Sequence, residues 1–270
     1  MVDALTLKNL LRKCRGALRI GKKDSTSQLI NLINEDYLLG SNELLRLGTK
    51  YGGWLLPKNV SLDQNSVCYL AGAGEDISFD CDLAEKFECK VLIIDPTPRA
   101  IAHFQHLSNA VNKGEKFPIN GSRELFYKID QNKFSKIQFL PYGLAGEDVE
   151  MKFFMPKDPS HVSCSTLNLQ QTNAWFTAQC FRLLTLMHDQ GDHSIDLLKM
   201  DIEGGEYAVI DNFVVEGPLP SLLLIEFDEA HTPLDDGALS RIQNRIESLQ
   251  KVGMRCIAVE GCNMTFQRQI

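Results

Sequence analysis

The sequence predicts an α/β fold: a doubly wound, mostly parallel sheet of seven strands with an antiparallel C-terminal hairpin, preceded by an N-terminal helical cap. From residue 66 onward, short apolar runs alternate with longer segments that suit helices, which favours parallel pairing. The runs are apolar throughout, as strands are when helices cover both faces of their sheet. A Gly-Cys turn at residues 261–262 joins the last two runs, which predicts the hairpin.

The chain before residue 59 is expected to be helical. Apolar side chains between residues 25 and 48 recur at helical spacing. The segment KYGGWLLP at 50–57 interrupts that pattern with two glycines and a proline, which indicates a connector. We therefore divide the chain into an N-terminal helical extension at 1–58 and a main domain at 59–270.

The main domain supplies the sheet. Its predicted strands are 67–71, 90–95, 137–144, 195–201, 221–227, 255–261 and 263–269. A further apolar segment at 147–155 follows the third strand, and helices are expected up to about residue 87 and at 99–111, 205–212 and 237–251. Because ligands of such sheets bind at the carboxyl ends of the strands, functional residues are expected just after each run.

Composition narrows the classes of function. The chain has 270 residues, 44% of them hydrophobic, which is too apolar for a disordered protein and enough for a full core. A formal charge of −7 argues against a nucleic-acid partner, because such proteins neutralise phosphates with a basic surface. The eight cysteines form no C-x-x-C pair, and no apolar run has the length of a signal peptide or a membrane span, so we expect a cytoplasmic protein.

The charge is distributed unevenly along the chain. Residues 1–23 carry seven basic side chains and one acid, whereas the rest of the chain carries 21 basic and 34 acidic side chains. Apolar and basic residues of this first segment occupy separate faces of a helix. Such a helix either packs on its own domain or contacts an anionic membrane surface or a partner, so a peripheral membrane location stays open.

The first strand is followed by a glycine-rich turn that suits a nucleoside ligand. Gly72 and Gly74 stand one residue apart between strand and helix, which lets a ligand approach the backbone closely. Asp95 ends the second strand 21 residues after Gly74, where a carboxylate accepts hydrogen bonds from ribose hydroxyls. The alternative for Asp95 is to cap the helix that follows.

The same turn favours one nucleoside cofactor over another. A dinucleotide fingerprint needs a small third residue, and here that position is Ile77. Glu75 and Asp76 would repel a pyrophosphate at the start of the helix. S-adenosylmethionine has an ammonium group, a sulfonium and a ribose diol but no phosphate, so it fits these acids better.

Five segments in order closely resemble the FkbM-type methyltransferases. They are YLAGAGEDISFD, IIDPTPRA, PYGLAGEDVEMKFF, LLKMDIEGGEY and LLLIEFDEAH. The resemblance covers about residues 50–261, and the GEDISF and DIEGGE blocks are its most specific parts. It implies a class I methyltransferase domain with a Rossmann-like fold that uses S-adenosylmethionine.

The resemblance also implies positions for the site. The residues implied for the methionine end of the cofactor and the helix after it are Gly72, Gly74, Glu75, Asp76 and Ser78. Those implied for the ribose and adenine are Asp95, Pro96, Tyr142, Gly143 and Leu144. Asp201, which also contacts the cofactor, and Glu203 are implied to face the transferred methyl group and the acceptor.

Methyl transfer to a hydroxyl group needs a base that removes the hydroxyl proton. We expect the catalytic residues to be Asp201, Glu203 and His231, the last because a histidine in a cleft has a suitable pKa. The acceptor contacts expected are Ser163, Ser165, Glu226 and Asp228, although Ser165 would also suit a helix cap and Glu226 and Asp228 are further candidates for the base.

The sequence therefore predicts an O-methyltransferase that acts on a glycan or another small molecule such as a secondary metabolite. No metal site is expected, and magnesium at Asp201, Glu226 and Asp228 is the weaker alternative. The other functions left open are an NAD-dependent oxidoreductase or epimerase on the same sheet, and a methyltransferase-like binding module without catalysis.

Overall fold

The computed structural model describes residues 24–158, 164–166 and 172–269. The main sheet has seven strands in the order β11-β12-β10-β9-β3-β4-β5. Its strands are β3 (Val67–Ala71), β4 (Lys90–Ile94), β5 (Ile137–Leu140), β9 (Leu197–Met200), β10 (Leu222–Glu226), β11 (Met254–Glu260) and β12 (Asn263–Arg268). Five are parallel and the last two form an antiparallel hairpin, which confirms the predicted fold class.

Helices and two small sheets surround this main sheet. The helices are α1 (Ser25–Ile30), α2 (Ser78–Phe87), α3 (Pro98–Lys113), α4 (Gln131–Phe134), α5 (Leu183–Gln190), α6 (Glu206–Glu216) and α7 (Ala238–Lys251). The remaining strands are β1 (Leu44–Leu47), β2 (Trp54–Pro57), β6 (Gly143–Leu144), β7 (Val149–Phe154) and β8 (Trp175–Phe181). Among the described residues, no helix is long and apolar enough to cross a membrane.

The parallel strands are buried on both faces. Side chains at alternate positions, such as Leu70 and Leu197, join one apolar cluster. The positions between them, such as Tyr69 and Leu198, join another cluster on the opposite face. This division explains why the strand sequences are apolar throughout, because neither face meets water.

The chain changes direction in the middle of the sheet. From β3 it proceeds outward to β4 and β5, and it then returns to the other side of β3 for β9 and β10. The switch point of the sheet therefore lies between β3 and β9, and the crevice at the carboxyl ends of these strands is where ligands of open α/β sheets bind. The fold positions the candidate site at this point.

The prediction of helix for residues 25–48 is largely wrong. The helix α1 ends at Ile30, and the side chain of Asn34 then accepts a hydrogen bond from the N–H of Asp36, a local bond that competes with helix formation. Leu44–Leu47 forms a strand that pairs with Trp54–Pro57, so the expected connector at 50–57 contains a strand as well.

This β1–β2 hairpin packs against the main domain. Its Trp54 and Leu56 are buried in the same cluster as the sheet, and Thr265 of β12 donates a hydrogen bond to the Leu55 carbonyl at 2.8 Å. The division of the chain at residue 58 stays a prediction. The basic helix expected within residues 1–23 and the acceptor contact expected at Ser163 lie outside the described residues.

The expected strand at 137–144 is divided in two by a change of sheet. Strand β5 ends at Leu140, because Pro141 has no N–H to continue the ladder. Gly143–Leu144 then pairs with β8. Strand β7, which falls within the apolar segment at 147–155, pairs with β8 from the other side. These three strands form a separate small sheet beside the crevice.

Candidate active site

A cavity of about 1080 Å³ lies at the carboxyl ends of β3, β4, β9 and β10. The turn of the β1–β2 hairpin forms one wall through Tyr51 and Trp54, and the small β6–β8–β7 sheet forms another through Met151 and Phe153. The turn between β11 and β12 completes the wall near β10. Its size is sufficient for a nucleoside cofactor together with a small acceptor.

The glycine turn after β3 can be built only with glycine at its first position. Gly72 has φ +83°, and a Cβ atom there would overlap the backbone carbonyl of Asp201. The backbones after β3 and β9 therefore touch, and the turn from Gly72 to Asp76 lines the cavity.

Asp95 fastens this turn to the end of β4. One of its carboxylate oxygens, Oδ2, accepts hydrogen bonds from the N–H groups of Ala73 and Gly74 at 2.8 and 3.1 Å. The other, Oδ1, accepts from the Thr97 N–H at 2.7 Å, at the start of α3. A carboxylate offers about four acceptor positions, and these three hydrogen bonds use three of them. The carboxylate that we expect to hold a ribose is 4% exposed and also organises the turn.

The two acids of the turn are also engaged by the protein. Glu75 forms a bidentate ion pair with Arg99, with Nε–Oε1 and Nη2–Oε2 distances of 3.0 and 2.6 Å. Asp76 accepts hydrogen bonds from Thr49 Oγ1 at 2.7 Å and from Asn120 Nδ2 at 3.1 Å. Both acids line the cavity, but their charge is less available to a ligand than the sequence suggested.

Ser78 and Tyr142 lie outside the cavity lining. The Ser78 hydroxyl accepts a hydrogen bond from the N–H of Thr49 at 2.8 Å, which ties the β1–β2 turn to α2. The Tyr142 ring packs edge-on against Phe181, with centroids 5.1 Å apart. Pro96, Gly143 and Leu144, which the resemblance implies for the adenine side, do line the cavity.

The loop after β9 holds a non-glycine residue in a left-handed conformation. Glu203 has φ +55°, which is uncommon for a residue with a side chain. The buried Glu206 stabilises this loop by accepting hydrogen bonds from the N–H groups of Ile202 and Gly204 at 2.8 and 3.0 Å. Ser165 donates to the Glu203 carbonyl at 3.1 Å, so it supports the loop and does not line the cavity.

Four acids converge on the cavity from the ends of β9 and β10, namely Asp201, Glu203, Glu226 and Asp228. Burial raises the pKa of Glu226, and the negative charges of Asp201 and Glu203 raise it further, while Lys199 opposes the rise. Burial also raises the pKa of Asp228, with Glu203 the strongest neighbouring charge. The Oδ2 atom of Asp228 is buried and has no hydrogen-bond partner among the described residues.

His231 is separated from this group. A 3₁₀ turn over Asp228–Ala230 follows β10, and the exposed His231 comes after it, with its N–H bonded to the Asp228 carbonyl at 2.9 Å. The side chain does not line the cavity, because the turn carries the chain away from the strand end. Across the ranges described, no three His, Cys, Asp or Glu side chains are arranged to hold a metal ion.

Two parts of the cavity lie outside the residues that the sequence predicts for the site. Tyr51 and Trp54 were assigned to a connector, although paired glycines between apolar runs are also a hairpin signal. Lys199 lies inside the apolar strand β9, where a charged residue is itself a signal, because lysine is almost never buried without a partner.

Comparison with known proteins gives one match. A protein-family model described as Methyltransferase FkbM domain matches residues 71–253, which contain the glycine turn and the loops after β4, β9 and β10. Comparison of the chain with curated proteins finds no match, and comparison with solved structures finds none either.

Proposed function

Because the chain belongs to the FkbM methyltransferase family, we propose that it transfers a methyl group from S-adenosylmethionine to a hydroxyl of a glycan or other small molecule. The observation that carries this proposal is the cavity at the switch point of the sheet, with the glycine turn at one side and the acids of β9 and β10 at the other. The proposed setting is the cytoplasm.

The chemistry of the cavity suits S-adenosylmethionine. The glycine turn permits close approach of a ligand to the backbone, and Asp95 has an acceptor position left for a ribose hydroxyl. Leu144 and Pro96 offer an apolar surface for adenine, and the excess of acids favours a cationic ligand. The buried Ile77, 1% exposed, still argues against the close-packed helix of a dinucleotide site, whereas the repulsion argument from Glu75 and Asp76 is weaker than expected.

The cofactor supplies an electrophilic methyl group on a sulfonium sulfur. The hydroxyl oxygen of the acceptor would attack this carbon as the sulfur–methyl bond breaks, with S-adenosylhomocysteine as the leaving group, and the hydroxyl proton would pass to a base. We assign proton acceptance to Glu226, because its side chain lines the cavity and its raised pKa brings it closer to neutral pH. Asp201 and Glu203 favour proton uptake by Glu226 through their charge. We assign contact with the acceptor to Asp228, because it lines the same cavity.

Titration calorimetry tests the cofactor, and a transfer assay tests the reaction. We expect binding of S-adenosylmethionine and S-adenosylhomocysteine with dissociation constants between about 1 μM and 1 mM, the usual range for enzyme substrates. NADH serves as the control and should not bind. Tight NADH binding without S-adenosylmethionine binding would contradict the proposal.

The acceptor is found by incubating the protein with isotope-labelled S-adenosylmethionine and a panel of glycans and small-molecule alcohols. Mass spectrometry should detect labelled methyl ethers on a hydroxyl oxygen. Transfer of the label only to nitrogen or carbon atoms would refute O-methylation while retaining methyl transfer. Cofactor binding without labelled product from any pool would favour a binding module.

A further inference from the structure

Lys199 is a lysine inside the main sheet. It is 6% exposed, in a strand whose four residues are all buried. In the sheet register it lies between Leu70 of β3 and Leu224 of β10, on the apolar face that also carries Leu197. A lysine at such a position destabilises the fold unless its ammonium group finds partners, so its contacts carry information.

The ammonium group of Lys199 reaches the two loops that form the cavity floor. Its Nζ donates a hydrogen bond to the Gly72 carbonyl, the first residue of the glycine turn. The same atom lies 3.8 Å from Oδ2 of Asp201 and 5.9 Å from the centroid of the Trp54 ring. One side chain therefore connects the ends of β3 and β9 with the wall formed by the β1–β2 hairpin.

Other buried acids experience the same charge. Burial raises the pKa of Asp80, in the first turn of α2, to about 6, and Lys199 is the cation that opposes this rise. Lys199 opposes the rise in the pKa of Glu226 as well. The charged groups around it thus come from α2, β9 and β10, and the ammonium group lies among them.

We propose that Lys199 is a positioning residue for methyl transfer, which holds the Gly72 carbonyl and the Asp201 carboxylate in fixed places relative to each other. This inference rests on the proposed function of the same cavity. Gly72 has φ +83° and its backbone touches that of Asp201, so a small displacement of either loop moves both sides of the site. Misplacement by about 1 Å is enough to reduce catalysis strongly.

Lys90 provides a matched contrast in the same sheet. It begins β4 at the amino end, and its Nζ lies 2.8 Å from both carboxylate oxygens of Asp192. That lysine satisfies its charge on a carboxylate remote from the cavity. Lys199 instead makes its closest contact with the Gly72 carbonyl of the glycine turn. Its Nζ lies 3.8 Å from the Asp201 carboxylate, compared with 2.8 Å between Lys90 and Asp192. Lys90→Met is therefore the control for a purely structural lysine.

Amide hydrogen exchange in the ligand-free protein tests the contact without relying on the proposed function. In Lys199→Met we expect the amides of Ala73 and Gly74 to exchange about tenfold faster or more. The turn that carries them loses the charged hydrogen bond from Lys199 to the Gly72 carbonyl. Amides within β4 should keep their rates, and Lys90→Met should leave Ala73 and Gly74 unchanged. Unchanged rates at the turn, or equal acceleration across the sheet, would overturn the inference.

A second variant guards against loss of folding. Lys199→Met leaves Asp80 buried without its opposing charge, so Asp80→Asn combined with Lys199→Met removes both charges together. The turn amides should exchange as fast in this double variant as in the single one. Protection restored to the wild-type level would show that charge balance alone matters, and would refute the positioning role.

Calorimetry with S-adenosylhomocysteine measures the consequence for the site. We expect its dissociation constant to rise about tenfold or more in both variants that carry Lys199→Met, to rise less in Lys199→Arg, and to stay unchanged in Lys90→Met. Wild-type affinity in the Met variants would refute the positioning role and leave the proposed function intact. Absence of binding by the wild-type protein would refute both.

Discussion

The carboxylates on the two sides of the cavity differ in how the protein engages them. Around the glycine turn, Asp95 accepts three backbone hydrogen bonds, Glu75 pairs with Arg99, and Asp76 is held by Thr49 and Asn120. At the end of β10, burial and neighbouring acids raise the pKa values of Glu226 and Asp228, and one oxygen of Asp228 has no partner in the described part of the chain.

This difference separates groups that build the site from groups that are able to react in it. A carboxylate whose oxygens are already bonded stabilises the fold and orders the loop around it. A buried carboxylate surrounded by other acids destabilises the folded state in its charged form, and such groups are typical of functional sites. Substitutions on the first side should therefore reduce stability, and substitutions on the second should reduce activity.

The largest effect is expected for Glu226→Gln. The glutamine cannot accept the acceptor proton, so kcat should fall about 10²- to 10⁴-fold, the usual contribution of general base catalysis. The free energy of unfolding should stay equal near pH 4 and rise relative to wild type as pH increases through the raised pKa of Glu226, because glutamine does not ionise among the neighbouring acids. Steady-state kinetics and urea unfolding measure the two quantities.

The affinity for S-adenosylmethionine is the internal control for Glu226→Gln and should change little. If kcat stays within about threefold of the wild-type value, Glu226 is not the base, and Asp201 or Glu203 becomes the next residue to substitute.

The next largest effect is expected for Asp95→Ala. Three N–H groups at Ala73, Gly74 and Thr97 lose their acceptor, so the free energy of unfolding should fall by about 2–4 kcal/mol. The affinity for S-adenosylmethionine should fall by about one to two orders of magnitude, because the turn loosens and a ribose contact is lost.

Asp95→Asn is the matched variant, since its amide oxygen still accepts hydrogen bonds from the glycine turn. It should lie between Ala and wild type in both stability and affinity. A full loss of affinity in Asp95→Asn at wild-type stability would mean that the charge acts on the ligand and that the bonds to the turn contribute little.

The sequence predicted the centre of this fold better than its margins. The parallel strands are recognisable because burial on both faces makes them short runs of almost entirely apolar residues, too short for a buried helix. The β1–β2 hairpin was missed because the leucines of β1 also fit a helix. Its strand pairing is stabilised by tertiary contacts such as that of Leu55 with Thr265, which lie 210 residues apart.

The site follows the same rule. Gly72, Asp95, Asp201 and Glu226 were locatable because each lies at or just after the end of a strand that the sequence identifies, and strand ends meet in a parallel sheet. The side chains that bind the acids of the glycine turn could not be located from the sequence. Arg99 lies 24 residues from its partner Glu75, and Thr49 lies 27 residues from its partner Asp76. The placement of His231 depends on a 3₁₀ turn that the sequence around Asp228 does not specify.

The smallest effect is expected for Asp228→Asn. It should raise the free energy of unfolding, whereas substitutions around the glycine turn should lower it. The pKa of Asp228 is raised in the folded protein, so the folded state binds the proton more tightly than the unfolded chain does. Asp228 in the wild-type protein therefore contributes its full stability below the ordinary carboxyl pKa of about 4. This contribution is lost as pH rises through the raised pKa. The asparagine variant lacks this loss.

Urea unfolding at several pH values should therefore find equal stability for Asp228→Asn and wild type near pH 4, where both side chains are neutral, within about 0.5 kcal/mol. Above the raised pKa the variant should be more stable by about 1–2 kcal/mol, since the buried charge next to Glu203 is gone. Glu75→Gln is the control from the other side: its ion pair with Arg99 is partly exposed, so stability should fall by less than about 1 kcal/mol. A pH-independent loss of stability in Asp228→Asn would mean that this carboxylate is bonded like those of the glycine turn, and the contrast between the two sides would not hold.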